Sequence, residues 1–137
     1  IQQGSQKSQR MTLMTLVYGG SAGDREKAIA ATIPPTGAGV IIEGLPDGTG
    51  VLEDLAASCQ LQLQRIAPGC PCCHGNLTVR VMLNRMLRPK PAQIYLAIAD
   101  ASHLPAIREF LQEDQYRQRL MLGPDINCFT DAIGHAS

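Results

Sequence analysis

Ile94-Tyr95-Leu96-Ala97-Ile98-Ala99 carries no charge and has the length of one strand. A run of this kind, without polar alternation, is what a parallel strand covered on both faces requires. On its N-terminal side, Leu77–Leu87 reads as a helix. Val79, Met82, Leu83 and Met86 fall at i, i+3, i+4 and i+7, with Arg80, Asn84 and Arg88 on another face. Pro89 and Pro91 end that helix. On its C-terminal side Ser102 is placed to N-cap a further helix, with Leu104, Ile107, Phe110 and Leu111 inward and Glu113 and Arg117 as an outer i, i+4 pair.

The same alternation continues outward in both directions. Thr12–Tyr18 is a β-favouring apolar run that ends at Gly19-Gly20, and Asp24–Ile33 follows as a helix stopped by Pro34-Pro35. Val40–Glu43 reads as a second strand, and Val51–Cys59 as a helix with Val51, Leu52, Leu55 and Ala56 on one face. Leu61–Ile66 sets Leu61, Leu63 and Ile66 against glutamines, which predicts a half-exposed strand. Gly123-Pro124 breaks the chain before a last strand, Ile126–Thr130. Strands alternating with helices predict a three-layer α/β domain, a mostly parallel sheet with helices on both faces. The polar residues 1–10 read as a disordered lead-in extraneous to the fold, and 11–137 as one domain.

Composition narrows the function. The chain has 137 residues, 45% of them hydrophobic, enough for one core. Twelve basic and twelve acidic residues cancel, so there is no basic face to recommend nucleic acid as a partner. No apolar run approaches the ~18 residues that would span a bilayer, so no membrane partner is expected. Five cysteines, three of them within four positions, make a poor disulfide framework; a reducing, cytoplasmic setting with metal or redox use fits better.

Those three are Cys70, Cys72 and Cys73, in Gly69-Cys70-Pro71-Cys72-Cys73-His74-Gly75. Thiolates are soft ligands suited to Zn(II) or Cu(I). A loop bent by Pro71 and flanked by glycines can turn several sulfurs to one point. Three sulfurs leave a tetrahedral ion one ligand short. His74, Glu43, Asp47, His103 or a water are the candidates for the fourth place. Two other readings stay open: a C-x-x-C dithiol of Cys70 and Cys73, and three small buried residues without a role. Cys59 and Cys128 read as ordinary buried residues.

The order strand, G-C-x-C-C loop, Arg- and Leu-rich helix, buried strand resembles the CobW-type P-loop GTPases, which handle zinc, cobalt and related ions. The resemblance runs from about Thr12 to Ala132. It implies a metal site at Cys70, Cys72 and Cys73, and delivery of the metal to a protein recipient. It also implies a P-loop, G-x-x-x-x-G-K-[ST], where this chain has Tyr18-Gly19-Gly20-Ser21-Ala22-Gly23-Asp24-Arg25. Tyr18 stands for the first glycine, Asp24 for the lysine and Arg25 for the magnesium-binding hydroxyl. One charge pair at ~4 Å is worth about 4 kcal/mol at an effective dielectric of ~20, so Asp24 turns an attraction for phosphate into a repulsion of similar size. Ala97-Ile98-Ala99-Asp100 stands where the family has E-x-x-G, and the chain given stops before the family's guanine-reading motif.

These readings combine into a degenerate P-loop GTPase-like domain, non-catalytic, that binds Zn(II) and is not expected to bind GTP. Gly19, Gly20 and Gly23 are then a vestigial nucleotide loop that serves the strand-to-helix turn. The alternatives are a weakly active nucleotide enzyme using Arg25 or Lys27 in place of the lost lysine, and a thiol redox protein. The metal site is expected to be completed by water or by a recipient's side chain, and to exchange its metal readily.

Overall fold

The computed structural model describes residues 11–34, 38–44, 51–58, 61–66 and 77–128. In chain order they form β1 (Thr12–Tyr18), α1 (Ala22–Thr32), β2 (Ala38–Glu43), α2 (Val51–Ser58), β3 (Leu61–Ile66), α3 (Leu77–Leu87), β4 (Gln93–Ile98), a 3-10 turn (Ala101–His103), α4 (Leu104–Leu111), α5 (Asp114–Arg117), β5 (Leu120–Leu122) and β6 (Ile126–Asn127). The strands make one sheet in the order β3-β2-β4-β1-β5, with β6 also on β1, and every pairing is parallel. The three-layer α/β architecture read from the sequence is the one observed.

Strand alternation divides the core in two. Met14, Leu16, Ile41, Ile94, Leu96 and Ile98 point to one face, where α3 (Val79, Leu83, Met86) and α4 (Ile107, Phe110, Leu111) cover them. Val17, Val40, Ile42, Tyr95 and Ala97 point to the other, under Ile29 of α1 and Leu52 of α2. All six residues of β2 and of β4 are buried, as strands enclosed on both faces must be. At the edge, β3 alternates: Leu61 and Ile66 are buried, while Gln62 and Gln64 are exposed.

The sequence-read boundaries shift by one or two residues at Ala38, Gln93 and Ala22. Three expectations are corrected. Ser102 does not cap a helix: Asp100 caps the 3-10 turn, its carboxylate accepting the Ser102 N–H at 2.9 Å, and α4 begins only at Leu104. Glu113 and Arg117 do not pair. The helix stops at Gln112, Glu113 adopts extended backbone (ψ 154°), and its carboxylate turns to Arg80 of α3, leaving Arg117 beside Asp114 at 3.6 Å. Between that break and Gly123 lies a strand, β5, where none was expected; it lines up Leu120–Leu122 with Thr12–Met14. Of the expected strand Ile126–Thr130, Ile126–Asn127 is observed and 129–130 lie outside the described residues. The lead-in 1–10 lies outside them too.

The chain order fixes where a ligand would sit. From β1 the chain crosses to β2 and β3, then returns through α3 to β4, between β2 and β1, and passes on to β5 beyond β1. The helices that follow β1 and β4 therefore lie on opposite faces. In open parallel sheets such a reversal leaves a crevice at the carboxyl ends of the two strands. Here those ends are Gly19-Gly20 and Ala99-Asp100.

Candidate functional site

At the end of β1 the chain turns through Gly19 (φ 85°) and Gly20 (φ 63°) into α1. A side chain at Gly20 would meet Asp24 Oδ2 at 2.8 Å and Cys128 Cβ at 3.1 Å, so only glycine serves there. Ser21 is the N-cap of α1. Its hydroxyl accepts the Asp24 N–H at 3.1 Å, while the Asp24 carboxylate accepts the Ser21 N–H at 3.0 Å: a reciprocal capping box. Those bonds, the backbone one foremost, hold the Asp24 pKa below the usual carboxylate value. Gly23 is the second residue of the helix rather than part of the turn.

Arg25, the next residue, is buried. Its Nη1 donates to the carbonyls of Gly19 at 3.0 Å and Gly20 at 2.8 Å, and its Nε has no hydrogen-bond partner among the described residues. A glycine turn that cradles phosphate does so with amide N–H groups. In this turn two carbonyls face a cation, and one amide is spent on a carboxylate.

Glu43 closes β2. It is buried, and its Oε1 accepts the Ala99 N–H at 2.8 Å, tying the ends of β2 and β4 together. Next to it, Gly44 N–H bonds the Ile66 carbonyl at the end of β3. Arg65, one residue earlier, reaches one carboxylate on each of two helices. Nη1 lies 3.2 Å from Glu26 Oε2 of α1, and Nε donates to Glu53 Oε2 of α2 at 2.9 Å. Burial alone would lower the Arg65 pKa, but the bonds to Glu26 and Glu53 outweigh it and raise it. Glu26 is fully buried and its Oε1 is without a hydrogen-bond partner among the described residues. The two carboxylates hold different ends of the guanidinium, Glu26 at Nη1 and Glu53 at Nε and Nη2.

Beyond β4, Asp100 and His103 flank the 3-10 turn. His103 Nε2 lies 3.9 Å from Asp100 Oδ2, and the buried Nδ1 has no hydrogen-bond partner among the described residues. The Asp100 pKa is lowered, chiefly by the Ser102 N–H. Sequence reading named His103 only as one of several side chains able to reach a metal. It named Arg25 only in relation to a nucleotide loop, not as a buried residue, and did not single out the buried Glu26 or the half-buried Arg65.

Cys70, Cys72, Cys73 and His74 lie outside the described residues, as do Asp47 and Cys59. The segment that carries them starts after Ile66, at the carboxyl end of β3, and ends before Leu77, the first residue of α3. Cys128 is buried, as expected. Among the described residues no group of three His, Cys, Asp or Glu side chains is arranged to hold a metal, and no helix is long and apolar enough to cross a membrane. Comparison with family models, with curated proteins and with solved structures returns no match for this chain.

Proposed function

We propose that this domain binds a thiophilic metal ion, Zn(II) foremost, through Cys70, Cys72 and Cys73, without catalysing a reaction, and passes it to a protein recipient. One observation carries the reading: three cysteines within four residues stand in the connection that leaves the carboxyl end of β3, the edge on which a doubly wound sheet binds its ligands. The donor set fits the ion. Thiolates prefer soft or borderline metals, and three of them leave one position for exchange. The ion when bound would be cargo.

The glycine turn supports the non-catalytic half of this reading. Asp24 stands in the place of the phosphate-binding lysine and is engaged in its own helix cap. Arg25, the cation a nucleotide-dependent alternative would enlist, spends Nη1 on the Gly19 and Gly20 carbonyls. A thiol redox role for Cys70 and Cys73 is separated by counting reactive thiols in the reduced protein. Metal binding predicts that the three loop thiols react slowly until a strong chelator is added. A dithiol without metal predicts the same rate with and without chelator, and that result overturns the proposal. Cys72→Ser should weaken Zn(II) binding sharply.

A further inference from the structure

We propose that the amino end of the sheet carries a docking surface for an acidic protein segment. Val81, Arg85, Arg88 and Lys90, on and just past α3, form one side of it, and Arg119, ahead of β5, forms the other. The proposal does not depend on the metal reading, because it uses the end of the sheet opposite to the crevice between Gly19-Gly20 and Ala99-Asp100.

Three observations lead to it. The first is a set of cations without acids. Arg85, Arg88, Lys90 and Arg119 are exposed, and none of them pairs with a carboxylate among the described residues. Residues 80–90 and 109–119 together hold six basic residues against three acids. Two of those acids are engaged, Glu113 by Arg80 and Asp114 by Arg117; Glu109 of α4 is the third. The whole chain is neutral, so the excess is local. Balancing acids stand at the other end of the sheet, where Glu43 and Asp100 close or follow strands and Asp24 and Glu53 open helices.

The second is that the fold brings the two segments together. α3 leads back to the amino end of β4, where Gln93 lies beside Leu13, and Arg119 directly precedes Leu120, which lies beside Thr12. Thr12 bonds both segments. Its N–H donates to the Arg119 carbonyl at 2.9 Å, and its hydroxyl donates to the Pro91 carbonyl at 2.7 Å. The Tyr116 hydroxyl donates to Asn84 at 3.0 Å, which sets α5 against α3 next to Arg85. Val81, Arg85 and Arg88 follow at i, i+4 and i+7, one stripe along α3 and its last turn. Val81 is 42% exposed and heads that stripe with an apolar side chain. The third observation is Lys90. Among the described residues it is the one non-glycine with positive φ, at 53°. Its N–H bonds the Leu87 carbonyl and ends α3 in the left-handed conformation that helices usually give to glycine. A side chain resists that conformation and glycine does not. An exposed ammonium thus stands where folding alone favours glycine.

The chemistry of the surface selects the partner. Guanidinium groups pair with carboxylates through two parallel hydrogen bonds. An apolar side chain at the head of the stripe adds a contact that a protein segment can use and a bare polyanion cannot. Single-stranded nucleic acid calls for aromatic platforms, and the aromatic rings nearest to this surface, Phe110 and Tyr116, are buried. The fit is therefore to a short run of aspartates or glutamates next to an apolar residue.

The test is binding of the reduced full chain to a fluorescein-labelled peptide, one leucine followed by seven glutamates, at low ionic strength. Wild type should bind it saturably, with an affinity that falls as salt is added. Arg88→Ser and Arg119→Ser should each weaken binding about two- to fivefold, and Val81→Ser less. Lys27→Gln, which removes an exposed cation from α1, should leave it unchanged. Lys90→Gly should weaken binding while raising the midpoint of thermal unfolding, a combination that a purely structural lysine would not give. Amide shifts in the NMR spectrum of wild type with peptide should cluster at residues 81–90 and 117–120, a readout independent of whether any variant folds. Absence of saturable binding, or arginine variants that bind like wild type, overturns the proposal. So does tighter binding to a single-stranded oligonucleotide, or to vesicles of phosphatidylserine and phosphatidylcholine, than to the peptide.

Discussion

At Asp24 a carboxylate accepts the Ser21 amide where a phosphate-binding loop would offer that amide to a ligand. Its charge opposes a triphosphate, and its geometry occupies a donor. Calorimetry with GTP and magnesium should therefore show no binding, and no phosphate release should be measurable; micromolar, magnesium-dependent affinity would favour the alternative in which Arg25 or Lys27 holds the phosphates. At this scale the sequence was legible where chemistry is local. Asp24 after the Gly19-Gly20 turn and the Cys70-Pro71-Cys72-Cys73 run are both plain in the chain. Arg25 was not legible as a buried residue, because nothing in the order of residues says that the carbonyls of Gly19 and Gly20 turn inward to meet it. His103 was one candidate among several for the same reason: its unsatisfied nitrogen follows from the 3-10 turn that Asp100 caps.

Between elements, the Arg80–Glu113 pair links α3 to the N-cap of α5. Hydrogen bonds from Arg80, more than any other cause, pull the Glu113 pKa from an ordinary 4.5 to about 2. A carboxyl whose pKa is depressed by folding stabilises the fold above its unfolded pKa, and that contribution fades as pH falls towards the folded value. Urea unfolding of wild type against Glu113→Gln should thus show a wild-type advantage at neutral pH that shrinks between pH about 4.5 and about 2. An advantage that persists unchanged at pH 2 would mean the pair acts through packing alone. Two misreadings lie in the same stretch. A continuous helix would put Glu113 and Arg117 one turn apart, but α4 ends at Leu111, Glu113 pairs with Arg80, and α5 and β5 follow. Leu120-Met121-Leu122 has no alternation to mark it as a strand; it becomes one because β1 offers an open edge along Thr12–Met14. Strands β1, β3 and helix α3, by contrast, were read at their observed ends, because each has a period or an apolar run that only one kind of element satisfies.

For the molecule as a whole, the described residues supply an apolar core on each face of the sheet. Among these residues both core faces are assembled from apolar side chains of the sheet and of the helices packed on it. A structural zinc with four protein ligands can be the main source of a small domain's stability; this sheet has its own. Chelator treatment should accordingly remove the metal while far-UV circular dichroism stays essentially unchanged, and unfolding on chelation would make the site structural instead of a carrier's. The central claim is that Cys70, Cys72 and Cys73 hold a thiophilic metal, and elemental analysis of reduced protein, purified without an affinity tag, tests it most directly. Close to one Zn(II) per chain in wild type, lost when all three cysteines are changed to serine, is the predicted result. The same metal content in the triple variant, or no metal in a wild-type protein offered Zn(II), would contradict it.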